Sequence, residues 1–321
     1  MAFKLNVTTT TQNSGGERKE VDWNALNQHV IEAAKTEKKA RSIPGVISGI
    51  YDLGEQNRED AEIEFKGTPE EEAKIIEEKP NTYFENDRDG KRVMRYPQKP
   101  VQQIAVAVDF PQVIVDKGQF FGNSNPLPLR LLLNGEFTLT DGTRIVARPY
   151  SIVETKFKDE KKWAFAKNNG IHKLADACEL LDDKGLFTKD RIGELLGKVA
   201  LFQFRVYMKP NKKDPSKSYF TEEIKLAGLV PEGVEIPEFD ESILHGVNLY
   251  GENDEDAVKQ LRATVRNTIQ RANNYEGSDI KALFDANAPQ GQQSAPKSDD
   301  TPPVLAPDTG IEPNLDDDTP F

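Results

Sequence analysis

The chain has 321 residues and a mass of 36.0 kDa, with 36% hydrophobic and 30% charged residues. An average globular domain is more apolar and less charged, so part of the chain is expected to lie outside a packed core. Forty-two Lys and Arg against 54 Asp and Glu give a net charge of −12. Taken globally, that argues against a nucleic-acid binder. The charge is uneven, however: residues 286–321 carry seven acids and one lysine, half of the net charge. The longest uninterrupted apolar run, Ile104–Val108, is too short for a membrane-spanning helix. MAFKLNVTTTT lacks the apolar core of a signal peptide. Cys178 is the only cysteine, which excludes an internal disulfide and fits a reducing compartment. One Cys and three scattered His (His29, His172, His245) cannot build a Cys/His zinc site. The expectation is a soluble intracellular protein without metal or cofactor.

In chain order, a short strand-like piece and the polar linker TTTTQNSGG precede a helix predicted at about 21–39. Asp22 is its N-cap, Trp23, Leu26, Val30 and Ala33 recur at helical spacing, and Ile43-Pro44-Gly45 stops it. Residues 45–54 (GVISGIYDLG) read as a strand with glycines where it bends, and 61–65 (AEIEF) alternates. Residues 70–78 form a short acidic helix or loop. Residues 101–116 have the β-branched content of a long or broken strand. Residues 130–133 and 136–139 read as a hairpin across Asn134-Gly135, a pair suited to a type I′ turn. Residues 144–148 form another strand.

A helical insert follows. Ile171, Leu174, Cys178 and Leu181 share one face of a helix at 170–181, and a second helix at 189–196 ends at Gly197. Strands at 199–209 and 218–227 are joined by the basic loop PNKKDPSK. Strands, a helix and a closing strand pair give the fold class: mainly β with α, an OB-fold-like antiparallel five-stranded barrel with N-terminal and C-terminal helical additions. The domains expected are an N-terminal extension with a helix (1–42), the barrel with insertions (43–235), a C-terminal helical segment (236–286) and a disordered acidic tail (287–321). Within the third, Val258, Leu261, Val265 and Ile269 mark one helix at 254–273, and a short helix follows at 278–286.

Three segments interleave bases with aromatics: 83–99, 156–167 and 205–220. Single strands need that mixture, since cations neutralise phosphates while aromatic faces stack on unpaired bases. The competing explanation for each segment is core aromatics beside a solvated charged face. The candidate DNA contacts are Tyr83, Arg92, Arg95, Tyr96, Trp163, Tyr207, Lys209 and Tyr219. Alternation puts Arg205 and Tyr207 on one strand face and Phe202, Phe204 and Val206 on the other, which assigns the latter to the core. No catalytic residue is expected. GxGxxG, Walker A, GxSxG and HExxH motifs are absent. The acid pairs Asp87/Asp89 and Asp182/Asp183 sit in turns, and Cys178 lies on an apolar helix face.

The most specific signal is DDDTPF, residues 316–321: three carboxylates, a stiff proline and an aromatic. A basic pocket with an apolar floor would capture such a peptide. It resembles the acidic tip of bacterial single-stranded DNA-binding proteins, matching at Asp316, Asp317, Asp318, Pro320 and Phe321; Thr319 departs, since isoleucine is usual there. The order of OB-like region, Gln/Pro/Ser/Gly linker and acidic tip also matches, while the insertions and N-terminal helix look more like a phage-encoded member. The resemblance implies a non-enzymatic protein that coats single-stranded DNA during phage replication and recombination in the bacterial host cytoplasm. It implies that the tip recruits replication, recombination and repair proteins. The competing assignments are a virion assembly protein and a metal-dependent nuclease.

Overall fold

The computed structural model describes residues 21–158, 161–212 and 214–286. Helix α1 (Trp23–Ala34) leads to strand β1 (Arg41–Gln56). An insertion follows, made of β2 (Ala61–Glu64), α2 (Pro69–Glu78), β3 (Tyr83–Asn86) and β4 (Arg92–Tyr96). Next come β5 (Val101–Val115), β6 (Leu127–Leu132), β7 (Glu136–Thr138), β8 (Arg144–Val146) and β9 (Tyr150–Ser151). A small hairpin, β10 (Thr155–Phe157) and β11 (Lys162–Ala164), precedes helix α3 (Gly170–Ala177). Strands β12 (Val199–Pro210), β13 (Ser218–Gly228) and β14 (His245–Val247) are followed by α4 (Glu255–Lys259), α5 (Ala263–Gln270) and α6 (Asp279–Ala286).

Five strands form a nearly closed antiparallel barrel in the order β6-β5-β1-β12-β13. Helix α3 falls between the third and fourth of these in the chain, an arrangement compatible with an OB-like fold. Bulges between Ile47 and Gly49 and between Asp52 and Gly54 bend the long first strand, as barrel closure requires. At Gly49 a Cβ would press on the ring and hydroxyl of buried Tyr51, so a side chain there would force that ring to shift.

The barrel buries both of its faces. Inside, Ile47, Ile104, Val106, Val108, Phe110, Leu129, Leu131, Phe202, Phe204 and Val206 pack with Leu26, Val30 and Ile31 of α1 and Ile171 and Leu174 of α3. Outside, Tyr51, Leu53, Ala105, Ala107 and Leu132 join a second core with Val247, Leu249, Val258, Val265, Ile269, Ile280 and Phe284. Strand β5 is therefore covered on both sides, which is why its sequence runs apolar without alternation. The C-terminal segment is a cap over the outer face of β1 and β5.

The structure corrects four expectations. The helix expected over 170–181 is α3, which ends at Ala177 and is followed by Glu179 in the left-handed region at φ 57°, so Leu181 lies beyond it. Helix α1 stops at Lys35, in the left-handed region at φ 53°, and Ile43-Pro44-Gly45 lies inside β1. Pro44 is tolerated because β5 joins the other edge of β1 only from Val46 onward. The hairpin across Asn134-Gly135 does not form: β7 pairs with β8, not β6. A type I′ turn needs positive φ at both central residues, and only Gly135 has it. Asn134 is instead a buried bracket, accepting from the Val106 amide at 2.7 Å and donating to the Arg148 carbonyl at 2.6 Å. The helix expected over 254–273 is two helices, broken where Arg262 turns extended (ψ 144°) and points its guanidinium into the barrel seam.

Candidate nucleic-acid interface

The barrel is closed at one seam by charge rather than by a ladder. β6 and β13 are not hydrogen-bonded to each other. Arg262 spans the gap: Nη1 reaches Glu222 Oε2 of β13 at 2.7 Å, and Nη2 donates to the Arg130 carbonyl of β6. Glu136 Oε1 lies 3.6 Å from Nη1 and accepts from Thr264 at 2.7 Å. Arg130 in turn forks onto Asp109, at 2.7 and 2.9 Å, and donates to the Ile243 carbonyl. Burial alone would push the Glu222 carboxyl up, but Arg262, helped by Lys117 and Arg144, outweighs it and holds the group below its ordinary value. Burial lowers the Lys117 ammonium facing the same cluster.

The cap makes the outer face of β1 and β5 unavailable, and its charge has the wrong sign for phosphate. Residues 236–286 carry ten acids and five bases. Two other surfaces are basic. Residues 199–228, the β12–β13 arm, have six bases and three acids, and residues 153–167, around the β10–β11 hairpin, have five and three.

The eight candidate contacts fall in three places, and the structure brings three of them together. On the outer face of the arm, Tyr207 lies beside Lys209, whose cross-strand partner is Tyr219. Tyr207 and Tyr219 are diagonal neighbours, within reach of one another on one sheet face. Arg205 completes the strip: its guanidinium lies 4.0 Å over the Tyr207 ring, and its Nη2 donates to the Glu37 carbonyl at 2.7 Å. The Tyr207 hydroxyl donates to Glu223 at 2.7 Å; burial first and then that bond push it up to about 12. Phe202, Phe204 and Val206 face inward and are fully buried, as alternation requires. Thr36 fastens the edge of β12 by accepting from the Val206 amide and donating to its carbonyl.

Trp163 sits on the β10–β11 hairpin, opposite Lys156, with 58% of its surface exposed. Among the described residues, Lys156, Lys158, Lys161, Lys162 and Lys167 enter no ion pair. This is a cationic tip with an uncovered indole.

Tyr83, Arg92, Arg95 and Tyr96 lie in the insertion, a three-stranded sheet ordered β2-β4-β3 beneath α2. Its two arginines are already engaged by carboxylates. Arg92 forks onto Glu72 of α2, both bonds at 2.7 Å, and lies 5.8 Å over the Phe84 ring. Arg95 bridges Glu62 of β2 and Glu85 of β3. The Tyr83 hydroxyl donates to Asp60 at 3.0 Å. With twelve acids and nine bases over residues 57–100, this module offers little to a phosphate chain. Tyr96 is different: it lines a small cleft at the end of α2.

The remaining polar candidates are occupied. Asp87 accepts from the amides of Asp89 and Lys91, and Asp182 from those of Lys184 and Leu186, so both are turn formers. Among the described residues no group of three or more His, Cys, Asp or Glu could hold a metal ion. Burial pushes the Cys178 thiol up to about 12, away from nucleophilic use. No helix among the described residues is long and apolar enough to cross a membrane. Asp316, Asp317, Asp318, Pro320 and Phe321 lie outside the described residues. Arg205, absent from the eight candidates, joins Tyr207 on the same strand face, as their i, i+2 spacing indicates. The chain matches no protein-family model, no curated protein and no solved structure.

Proposed function

We propose that the chain is an OB-fold single-stranded DNA-binding protein, without enzymatic activity, that coats single strands during phage DNA replication and recombination in the bacterial cytoplasm. The observation that carries this is the strip of Arg205, Tyr207, Lys209 and Tyr219 on the outer face of a basic arm. Tyr219 is exposed and Tyr207 is half-exposed beneath the Arg205 guanidinium; aromatic rings take unpaired bases at ~1–3 kcal/mol each, and the flanking cations neutralise phosphates. Trp163 and its lysines supply a second such surface. OB-type barrels bind oligonucleotides on the face of their second and third strands and on the loops flanking it. Here the cap covers part of that face, so binding is assigned to the β12–β13 arm and the β10–β11 hairpin. The acidic segment 316–321 is assigned the recruitment of replication and recombination proteins, through Asp316, Asp317, Asp318, Pro320 and Phe321.

The test is a fluorescence titration with labelled single-stranded and duplex oligonucleotides of equal length. Single strands are expected to bind tighter, with a log–log salt slope near −0.7 per phosphate neutralised. Equal affinity for duplex would leave only a basic patch and remove the stacking account.

A further inference from the structure

The insertion has a feature its acidity does not explain. Residues Met94, Tyr96 and Phe84 share one face of the β2-β4-β3 sheet, the face on which the Arg92–Glu72 fork fixes α2. Helix α2 ends at Glu78, and the Lys79–Thr82 turn, closed by the Thr82 amide donating to the Lys79 carbonyl at 2.9 Å, stands off from the sheet. The gap is a cleft of about 250 Å³ lined by Lys79, Pro80, Asn81, Thr82, Met94, Tyr96 and Pro97. It is smaller than the ~300–1,000 Å³ cavities that take drug-sized ligands. Its walls are two proline rings, a thioether and a phenol.

Its polar groups are unspent. Among the described residues, the Tyr96 hydroxyl and the Asn81 carboxamide make no side-chain hydrogen bond, and Lys79 enters no ion pair. A carboxamide offers two donors and an acceptor, which suits the mixed edge of a heterocyclic base. An aromatic face and flat apolar walls suit the π-surface of that base, and an ammonium at the rim suits the phosphate beside it.

We infer that this cleft is a capture site for a single unstacked nucleobase of a bound strand, with Tyr96 against the base, Asn81 on its edge and Lys79 on the adjoining phosphate. The module thus holds one base and, through Lys79, the single phosphate beside it, although its net charge would repel a longer phosphate chain. This inference rests on the proposal that the protein binds single-stranded DNA, and adds to it a site separate from the β12–β13 strip.

The experiment titrates a labelled single-stranded oligonucleotide against the full chain and its Tyr96→Ala, Tyr96→Phe, Asn81→Ala and Lys79→Ala variants over a range of salt. Tyr96→Ala is expected to weaken binding about 5- to 150-fold with an unchanged salt slope, because it removes stacking and no phosphate contact. Tyr96→Phe should keep most of the affinity. Asn81→Ala, at an exposed turn where folding is not at stake, should lose about 2- to 10-fold. Lys79→Ala should reduce the slope by about 0.7. Wild-type binding that survives both Tyr96→Ala and Asn81→Ala unchanged would overturn the capture site and leave the arm intact. If the wild type binds no oligonucleotide at low salt, the broader proposal fails and the capture site with it.

Discussion

Replacing Arg262 tests how the barrel is held shut. Its side chain is 25% exposed and that of Glu222 is 17% exposed, so the pair is largely but not wholly withdrawn from water. Removing one partner of a fully buried pair costs ~3–5 kcal/mol because the other charge is left uncompensated. The residual exposure lowers that to roughly 2–4 kcal/mol for Arg262→Met. At ~2–4 °C per kcal/mol for a fold of this size, the midpoint of thermal unfolding should fall by about 4–16 °C. The pH dependence has a definite sign. In the native protein Arg262 depresses the Glu222 carboxyl, so the pair adds stability above the unfolded value near ~4.3 and loses it as pH falls through the folded value. In Arg262→Met the largest opposing cause is gone and only Lys117 and Arg144 still counter burial, so the carboxyl titrates upward, and the penalty should be largest near neutrality and shrink as pH falls toward the carboxylate range. Adding Glu222→Gln should recover much of the loss, because the two residues share one interaction. Circular dichroism melts of the wild type, the single variant and the double variant at two pH values measure all of this. A loss below about 1 kcal/mol that does not vary with pH would refute the clasp.

Three further outcomes follow from the surfaces. Trp163→Ala should lose roughly 1–3 kcal/mol of single-strand binding while its melting temperature stays near wild type, because a 58% exposed indole contributes little to the core; a large loss of stability with unchanged affinity would make Trp163 structural. Truncation after Ala286 removes seven acids and one lysine, so it should tighten single-strand binding at low salt and matter less at 1 M, where screening acts over ~3 Å rather than ~10 Å; equal affinity at every salt concentration would show that the tail does not compete for the arm. Cys178 should react with a thiolate-selective reagent near pH 8 far more slowly than free cysteine, since burial pushes its thiol up to about 12; labelling at the free-cysteine rate would contradict its packing against the main core.

The barrel strands were legible because each is a long β-branched or alternating run, and 101–116, 199–209 and 218–227 fall within two residues of β5, β12 and β13. The cap was not legible as a cap. An apolar run such as Ile104–Val108 states that both faces are covered, but not that α5 and α6 do the covering. The break at Arg262 was hidden for a related reason: the apolar period continues through Leu261 and Val265, and only the distant Glu222 explains why the backbone turns. At the candidate site, Arg92 and Arg95 read as phosphate ligands because local sequence shows bases and aromatics together. Their carboxylate partners are Glu72, twenty residues earlier, and Glu62 and Glu85 on the neighbouring strands. Tyr207, Lys209 and Tyr219 were legible because a hairpin register is set by local pattern, and strand alternation sorts core from surface.

The proposed function stands on base stacking at the outer face of the β12–β13 arm. The most direct measurement is the affinity of Tyr207→Ala/Tyr219→Ala for a single-stranded oligonucleotide, read beside its melting temperature and its salt slope. Two rings at no less than ~1 kcal/mol each predict a loss of about 30-fold or more, with the slope and the fold preserved because Arg205, Lys209 and the inward-facing Phe202, Phe204 and Val206 remain. Affinity equal to wild type in a folded double variant would contradict the claim.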